Sequence, residues 1–127
     1  MKTLLTLFVL LFSFNSYGGL FDKTVCVKTD AQDRNGIIFL PNQTEPFTGK
    51  NLCEYENGQY KSQGKIKDGK KDGPWTFYND DGGKKFMEQT HKDGEYVRLR
   101  YWHDNGKKRV EVIMKDGEKI SEKFWNS

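Results

Sequence analysis

Two stretches decide how this chain reads: "KKDGPWTFYNDDGGKK" at 70–85 and "YVRLRYWHDNGKK" at 96–108. Each carries an alternating aromatic segment into a glycine turn rimmed by lysines, and the second repeats the first one unit later. Asp-Gly pairs recur at Asp68-Gly69, Asp93-Gly94 and Asp116-Gly117, 25 and 23 residues apart. A second set of turns ends at Gly58, Gly82 and Gly106, 24 and 24 apart, and the aromatics Tyr55, Tyr78, Trp102 and Trp125 follow at 23, 24 and 23. Three independent markers with one period identify an internal repeat.

Each unit holds two short segments bounded by glycine turns, the pattern of a β-hairpin. Asn-Gly and Asp-Gly supply the positive φ angles that tight hairpin turns require. The segments alternate with period two, as half-buried strands do. In the second strand of successive units one column reads Ser62/Gly64/Ile66, Met87/Gln89/His91 and Val110/Val112/Met114. The other reads Lys61/Gln63/Lys65, Phe86/Glu88/Thr90 and Arg109/Glu111/Ile113. The first column is expected to pack and the second to be wet. After the N-terminal apolar run no segment carries a sustained helical stripe, so the chain is all-β.

In the first strand of each unit Trp75 and Phe77 point one way, joined by Leu99, Tyr101 and Phe124 in later units. Tyr55, Tyr78, Trp102 and Trp125 point the other way, beside Thr76, Arg100 and Lys123. A repeat array buries one face against its own neighbours, because a single unit cannot hide its apolar surface. The Tyr55/Tyr78/Trp102/Trp125 column is then either a second packed seam or an exposed stripe edged by Arg100 and Lys123. Cross-strand aromatic pairs stabilise sheets by roughly 0.2–1 kcal/mol each. Exposed Tyr and Trp are the residue types that anchor protein interfaces.

The runs "GIIFLPNQTEPFTGK" (36–50), "YENGQ" (55–59) and "KDGKKDGPWTFYNDDG" (67–82) resemble the bacterial variant of MORN repeats, in particular exported repeat proteins of antitoxin or immunity-like type. The resemblance covers about residues 34–127, with Pro46-Phe47-Thr48-Gly49 its most specific piece. It implies a row of β-hairpins forming one elongated, twisted antiparallel sheet, with a binding or scaffolding role and no catalytic residues to carry over. Three to four hairpin units then occupy 46–127, behind an N-terminal cap segment at 19–45. The third unit departs from the pattern, with Val97 where Gly49 and Gly73 stand earlier, and the last unit stops at Ser127. Such departures suit a capping unit that protects an open edge.

Ahead of the repeat, Lys2 precedes an apolar run from Leu4 to Phe14, with small Ser16 and Gly18 placed for signal peptidase. A run of eleven residues is too short to span a bilayer, which takes roughly 20. Residues 1–18 are therefore expected to be a cleaved secretory signal, and the protein to be exported, periplasmic or extracellular. Two cysteines follow, Cys26 and Cys53. In an oxidising compartment an even pair more often bridges than stays free. A bridge would tie the N-terminal segment to the first unit and stabilise by about 3 kcal/mol on chain-entropy grounds. Within that segment "KTVCVK" (23–28) alternates as an edge strand would, and "DRNG" (33–36) reads as the turn into Ile37–Leu40.

The chain's net charge is +3, and residues 84–127 carry 11 basic against 8 acidic side chains. That bias is mild and excludes the strong basic footprint of nucleic-acid binding. His91 shares a column with Ile66 and Met114 and reads as structural, while His103 sits in the turn before Gly106. The repeat gives neither histidine a nucleophile and an orienting carboxylate. "NDDGG" (79–83) lacks the alternating ligands of a calcium loop, and no Cys/His spacing suggests a metal.

The expectation is a non-enzymatic protein with no metal or cofactor. It binds a protein partner, of immunity or antitoxin type, through Tyr55, Tyr78, Arg100, Trp102, Lys123 and Trp125. The alternative is an envelope-associated scaffold in peripheral contact with anionic lipid head groups or wall polymers through Lys107, Lys108 and Arg109. An open terminal hairpin also offers its sheet edge to a second copy, which would make a homodimer.

Overall fold

The Asp-Gly pairs at 68–69, 93–94 and 116–117 each close a hairpin in the computed structural model, which describes residues 23–127. The signal expected at 1–18 lies outside the described residues. Asp68 and Gly69 have φ of 50° and 80°, Asp93 and Gly94 52° and 84°, and Asp116 and Gly117 51° and 79°. Positive φ at both central residues is the type I′ turn, whose twist matches the strands it joins.

In chain order the elements are β1 (Thr24–Val25), one helical turn α1 (Val27–Asp30), β2 (Gln32–Arg34) and β3 (Ile37–Phe39). Seven longer strands follow: β4 (Gly49–Glu54), β5 (Tyr60–Lys67), β6 (Lys70–Tyr78), β7 (Lys85–Lys92), β8 (Glu95–Trp102), β9 (Lys108–Lys115) and β10 (Glu118–Phe124). Strands β4 to β10 pair antiparallel, each with the next in sequence, and β1 joins the β4 edge in parallel. The result is one open, twisted eight-stranded sheet, with β2 and β3 forming a separate hairpin over "DRNG".

The register places the sequence columns in rows across the sheet. One row runs Cys53, Ser62, Phe77, Met87, Tyr101, Val110, Phe124. Beside it on the same face run Gln89, Leu99 and Val112, with Trp75 paired to Gln89. The opposite face carries Gln63, Thr76, Glu88, Arg100, Glu111 and Lys123 in one line.

A second layer covers the first face over its first three long strands. Ile38 and Phe47 from the N-terminal segment close on Ile66 and Trp75, with Val25, Val27, Ala31, Leu40 and Phe77 packed around them. The segment is fastened to the β5–β6 turn by backbone bonds. Ile38 N donates to Gly69 O (2.9 Å), Gly69 N to Phe47 O (2.7 Å) and Phe47 N to Ile38 O (2.9 Å). A disulfide between Cys26 and Cys53 adds a covalent tie between the segment and β4. Buried Asn51 completes the joint, accepting from Val27 N (2.9 Å) and donating to Ser62 Oγ (3.1 Å).

The "KTVCVK" stretch departs from the expected edge strand. Only Thr24 and Val25 pair with β4, and the chain then coils into α1. The Asp30 carboxylate accepts from Cys26 N at 3.0 Å, and an acceptor at this helix start satisfies a backbone donor that a strand would have spent on its neighbour.

Trp75 is 3% exposed and lies flat over Gly64, with Nε1 donating to Lys65 O at 2.9 Å. A Cβ built on Gly64 would lie only 2.4–2.5 Å from Cγ, Cδ1 and Cδ2 of the indole, far inside van der Waals contact. The strand tolerates glycine here because the ring takes the space a side chain would fill. On the far side of Trp75 stands His91, 4% exposed, packed edge-on to the indole and against Tyr96. It is the structural residue expected from its column.

Burial, followed by the charge of Lys71, holds the His91 imidazole below its ordinary value. Above pH about 7 the ring is neutral in both folded and unfolded chains. As pH falls past the usual histidine value of about 6.5, the unfolded chain takes up the proton first, so stability falls with it. Urea midpoints are therefore expected to drop between pH 7 and pH 5 in the wild type, and to drop less in His91→Gln. Equal slopes in the two proteins would remove His91 from this account.

Candidate functional site

Four aromatics stand along the turn edge where the strands of each unit meet their longer loops. Tyr55, Tyr78 and Trp102 are half-buried, and Trp125 is 38% exposed. Alternation along β6 and β8 puts Tyr78 and Trp102 on the face opposite Phe77 and Tyr101, away from the layer built on Trp75. The Tyr78 hydroxyl accepts from Gln63 Nε2 on that same face, at 2.6 Å.

What joins this row is hydrogen bonding between successive turns. Tyr55 Oη donates to Tyr78 O at 2.7 Å, Asn57 Nδ2 to Asp80 O at 3.0 Å, and His103 Nε2 lies 3.1 Å from Trp125 O. Each ring also has a neighbour laid against it. Lys61 Nζ stands 5.5 Å from the Tyr55 ring centre, Lys85 Nζ 4.1 Å from that of Trp102, and Lys108 Nζ 5.5 Å from that of Trp125. Tyr78 meets Tyr60 edge-on at 6.4 Å. Ammonium groups over ring faces are worth about 0.5–1 kcal/mol at exposed sites. The lysines are the part of the site that reasoning on the aromatics alone missed. Their signal was present, since Lys61, Lys85 and Lys108 recur with the period of the rings.

The two basic residues assigned to this surface differ in their freedom. Arg100 lies between two carboxylates, Glu111 at 2.8 Å and Glu88 at 3.6 Å, so its charge is already matched within the sheet. The Arg100 hydrogen bond holds the Glu111 carboxyl below its ordinary value. Lys123, paired in register with Glu111, is exposed and forms no ion pair among the described residues. Lys107, Lys108 and Arg109 are likewise exposed and without carboxylate partners there.

Two other regions bear on function. A groove of about 770 Å³ runs between the N-terminal segment and the β5–β6 hairpin. Lys23, Lys50, Lys65 and Lys67 line it opposite Glu45, Asp68 and Asp72, with no histidine or cysteine among its walls. The other region is the first face beyond β6. Trp75 and Ile66 are buried there under the N-terminal layer, but Met87, Leu99, Tyr101, Val110 and Val112 continue the same apolar rows half-buried. Phe124 at the end of the first row is 69% exposed. The expected packed column is thus covered by a second layer only over β4–β6 among the described residues. The described N-terminal residues fold into β1, α1 and the β2–β3 hairpin and pack over that part of the sheet.

The fold and site define a hairpin-repeat sheet with an aromatic–lysine edge and a disulfide-tied cap. No protein-family model matches the chain, nor does any curated protein.

Proposed function

We propose that this is an exported, non-catalytic protein of the bacterial MORN-repeat type that binds another protein, in the manner of an immunity partner, through its aromatic–lysine edge. The observation that carries the reading is the pre-orientation of the row. Tyr55, Tyr78, Trp102 and Trp125 stand on the side the cap leaves open, held by Gln63, by turn-to-turn bonds and by lysines. Rings fixed before contact lose little freedom on binding, which is where aromatic anchors gain affinity. The disulfide is consistent with the oxidising compartment that export implies. Recognition of the partner centres on Trp102 and Trp125, with Lys85, Lys108 and Lys123 orienting the approach.

The test is retention of envelope proteins from the source cell on immobilised protein. Trp102→Ala is expected to weaken retention about 30-fold or more, the effect of losing an anchor worth about 2 kcal/mol. Raising salt from about 50 to 200 mM is expected to change it little, because packed contacts are not screened as exposed charges are. The reverse pattern, steep loss with salt and indifference to Trp102→Ala, would instead assign Lys107, Lys108 and Arg109 to anionic lipid or wall polymer.

A further inference from the structure

We propose that the uncovered apolar face of β7–β10 docks against the same face of a second copy of this chain, the two sheets packing face to face. This interface lies on the side opposite the aromatic row and goes beyond the reading above. Three observations carry it.

The first is continuity with the existing core. The row of Trp75 runs on through Gln89 to Leu99 and Val112, and the row of Phe77, which packs on the same core, runs on through Met87 to Tyr101 and Val110. Beyond β6 the same plane meets no second layer among the described residues. A sheet with one apolar face needs something against it.

The second is charge. Along β7, β8 and β9 this face presents Met87, Gln89, His91, Leu99, Tyr101, Val110, Val112 and Met114, and no charged side chain. On β10 Lys119 and Glu122 neutralise each other in an ion pair. A two-fold interface sets every surface against itself, so any unmatched charge near its centre faces a like charge. The opposite face carries Glu88, Arg100, Glu111 and Lys123 in its central line, charges whose desolvation an interface there would have to offset. The neutral one carries no such cost, despite the chain's net charge of +3.

The third is size. Four strands about 4.8 Å apart, each with three or four inward residues, make a patch of roughly 20 by 25 Å. Two such patches enclose about 1,000 Å² or somewhat more, the lower bound for a specific interface. Aligned sheets pack about 10 Å apart with strands rotated by about 30°. That arrangement puts Leu99 of one copy near Val112 of the other and leaves both aromatic rows outside.

The test uses the chain from residue 19 onward, as export would leave it, in sedimentation equilibrium across a wide concentration range, with Val112→Glu, Leu99→Lys and the opposite-face control Thr90→Glu. The wild type and Thr90→Glu are expected at twice the chain mass. Val112→Glu and Leu99→Lys alone are expected at the chain mass, and their mixture is expected to recover the dimer through complementary charge. Peroxide oxidation of Met87 and Met114 gives a readout that needs no mutant, and both should become more reactive on dilution. A dimer that persists in both charge variants overturns the proposal, for the contact would lie elsewhere, as at the β10 edge. A wild-type monomer at every concentration also overturns it. Reactive methionines in that monomer would leave the face to a foreign protein.

Discussion

Gly64→Ala is expected to destabilise the protein by about 3 kcal/mol, the upper range for forcing a methyl into a filled core. It would lower the thermal midpoint by roughly 10–20 °C in a domain of this size. The added carbon would come within 2.4–2.5 Å of three atoms of the Trp75 indole, so the ring must leave its place. In leaving, it gives up the bond from Nε1 to Lys65 O and its contact with Ile66 and Phe47. The backbone of β5 has little room to yield instead, because Gly64 pairs with Asn51 of β4 and its two neighbours, Gln63 and Lys65, pair with Thr76 and Asp72 of β6 on either side of a bulge. Thermal unfolding of Gly64→Ala, Trp75→Leu and the double variant checks the mechanism. Once leucine has replaced the indole, the alanine is expected to add almost nothing, a coupling that only residues in contact show. Additive losses would mean that Gly64 matters for some reason other than the ring.

Removing both cysteines, as Cys26→Ser with Cys53→Ser, is expected to cost about 3 kcal/mol. The bridge closes a separation of 27 residues, and a loop of that length confines the unfolded chain by about that much. The folded cap keeps its other ties, namely Val27 to Asn51 and the three bonds through Ile38, Phe47 and Gly69. Urea denaturation should therefore show the variant folded but weaker, and wild type in reductant should match it. A variant as stable as the oxidised wild type would show that the cap does not need the tether.

Much of this fold was legible because turn chemistry and hairpin pairing are local. The Asp-Gly pairs at 68–69, 93–94 and 116–117 require a backbone that few other residues adopt, and all three close hairpins. The columns led by Ile66, Met87 and Val110 fell on one face because strand alternation is geometric. What was not legible depends on tertiary contact. A half-buried column has the same pattern whether or not a layer lies over it. Nothing in Leu99 or Val112 distinguishes them from Ile66, and only where Ile38 and Phe47 come to rest separates the covered half from the open one. The helical turn at Val27–Asp30 likewise has no propensity to announce it, arising from Asp30 at Cys26 N and Asn51 at Val27 N. Gly64 did carry a signal, since glycine inside a strand often marks close approach of another group, but its partner Trp75 lay on the next strand. The aromatic column is legible from its spacing alone, whereas the matching of Arg100 by Glu88 and Glu111 required the register.

The central claim is that one repeat sheet turns Trp75 inward and the Trp102–Trp125 row outward. Acrylamide quenching of the three single-tryptophan proteins, with phenylalanine at the other two positions, tests it most directly. The account predicts Trp75 nearly unquenched, Trp102 intermediate and Trp125 quenched several-fold more readily than Trp75, in line with their burial. A Trp125 as shielded as Trp75 would contradict it, because the row would then be a packed seam with no surface to offer a partner.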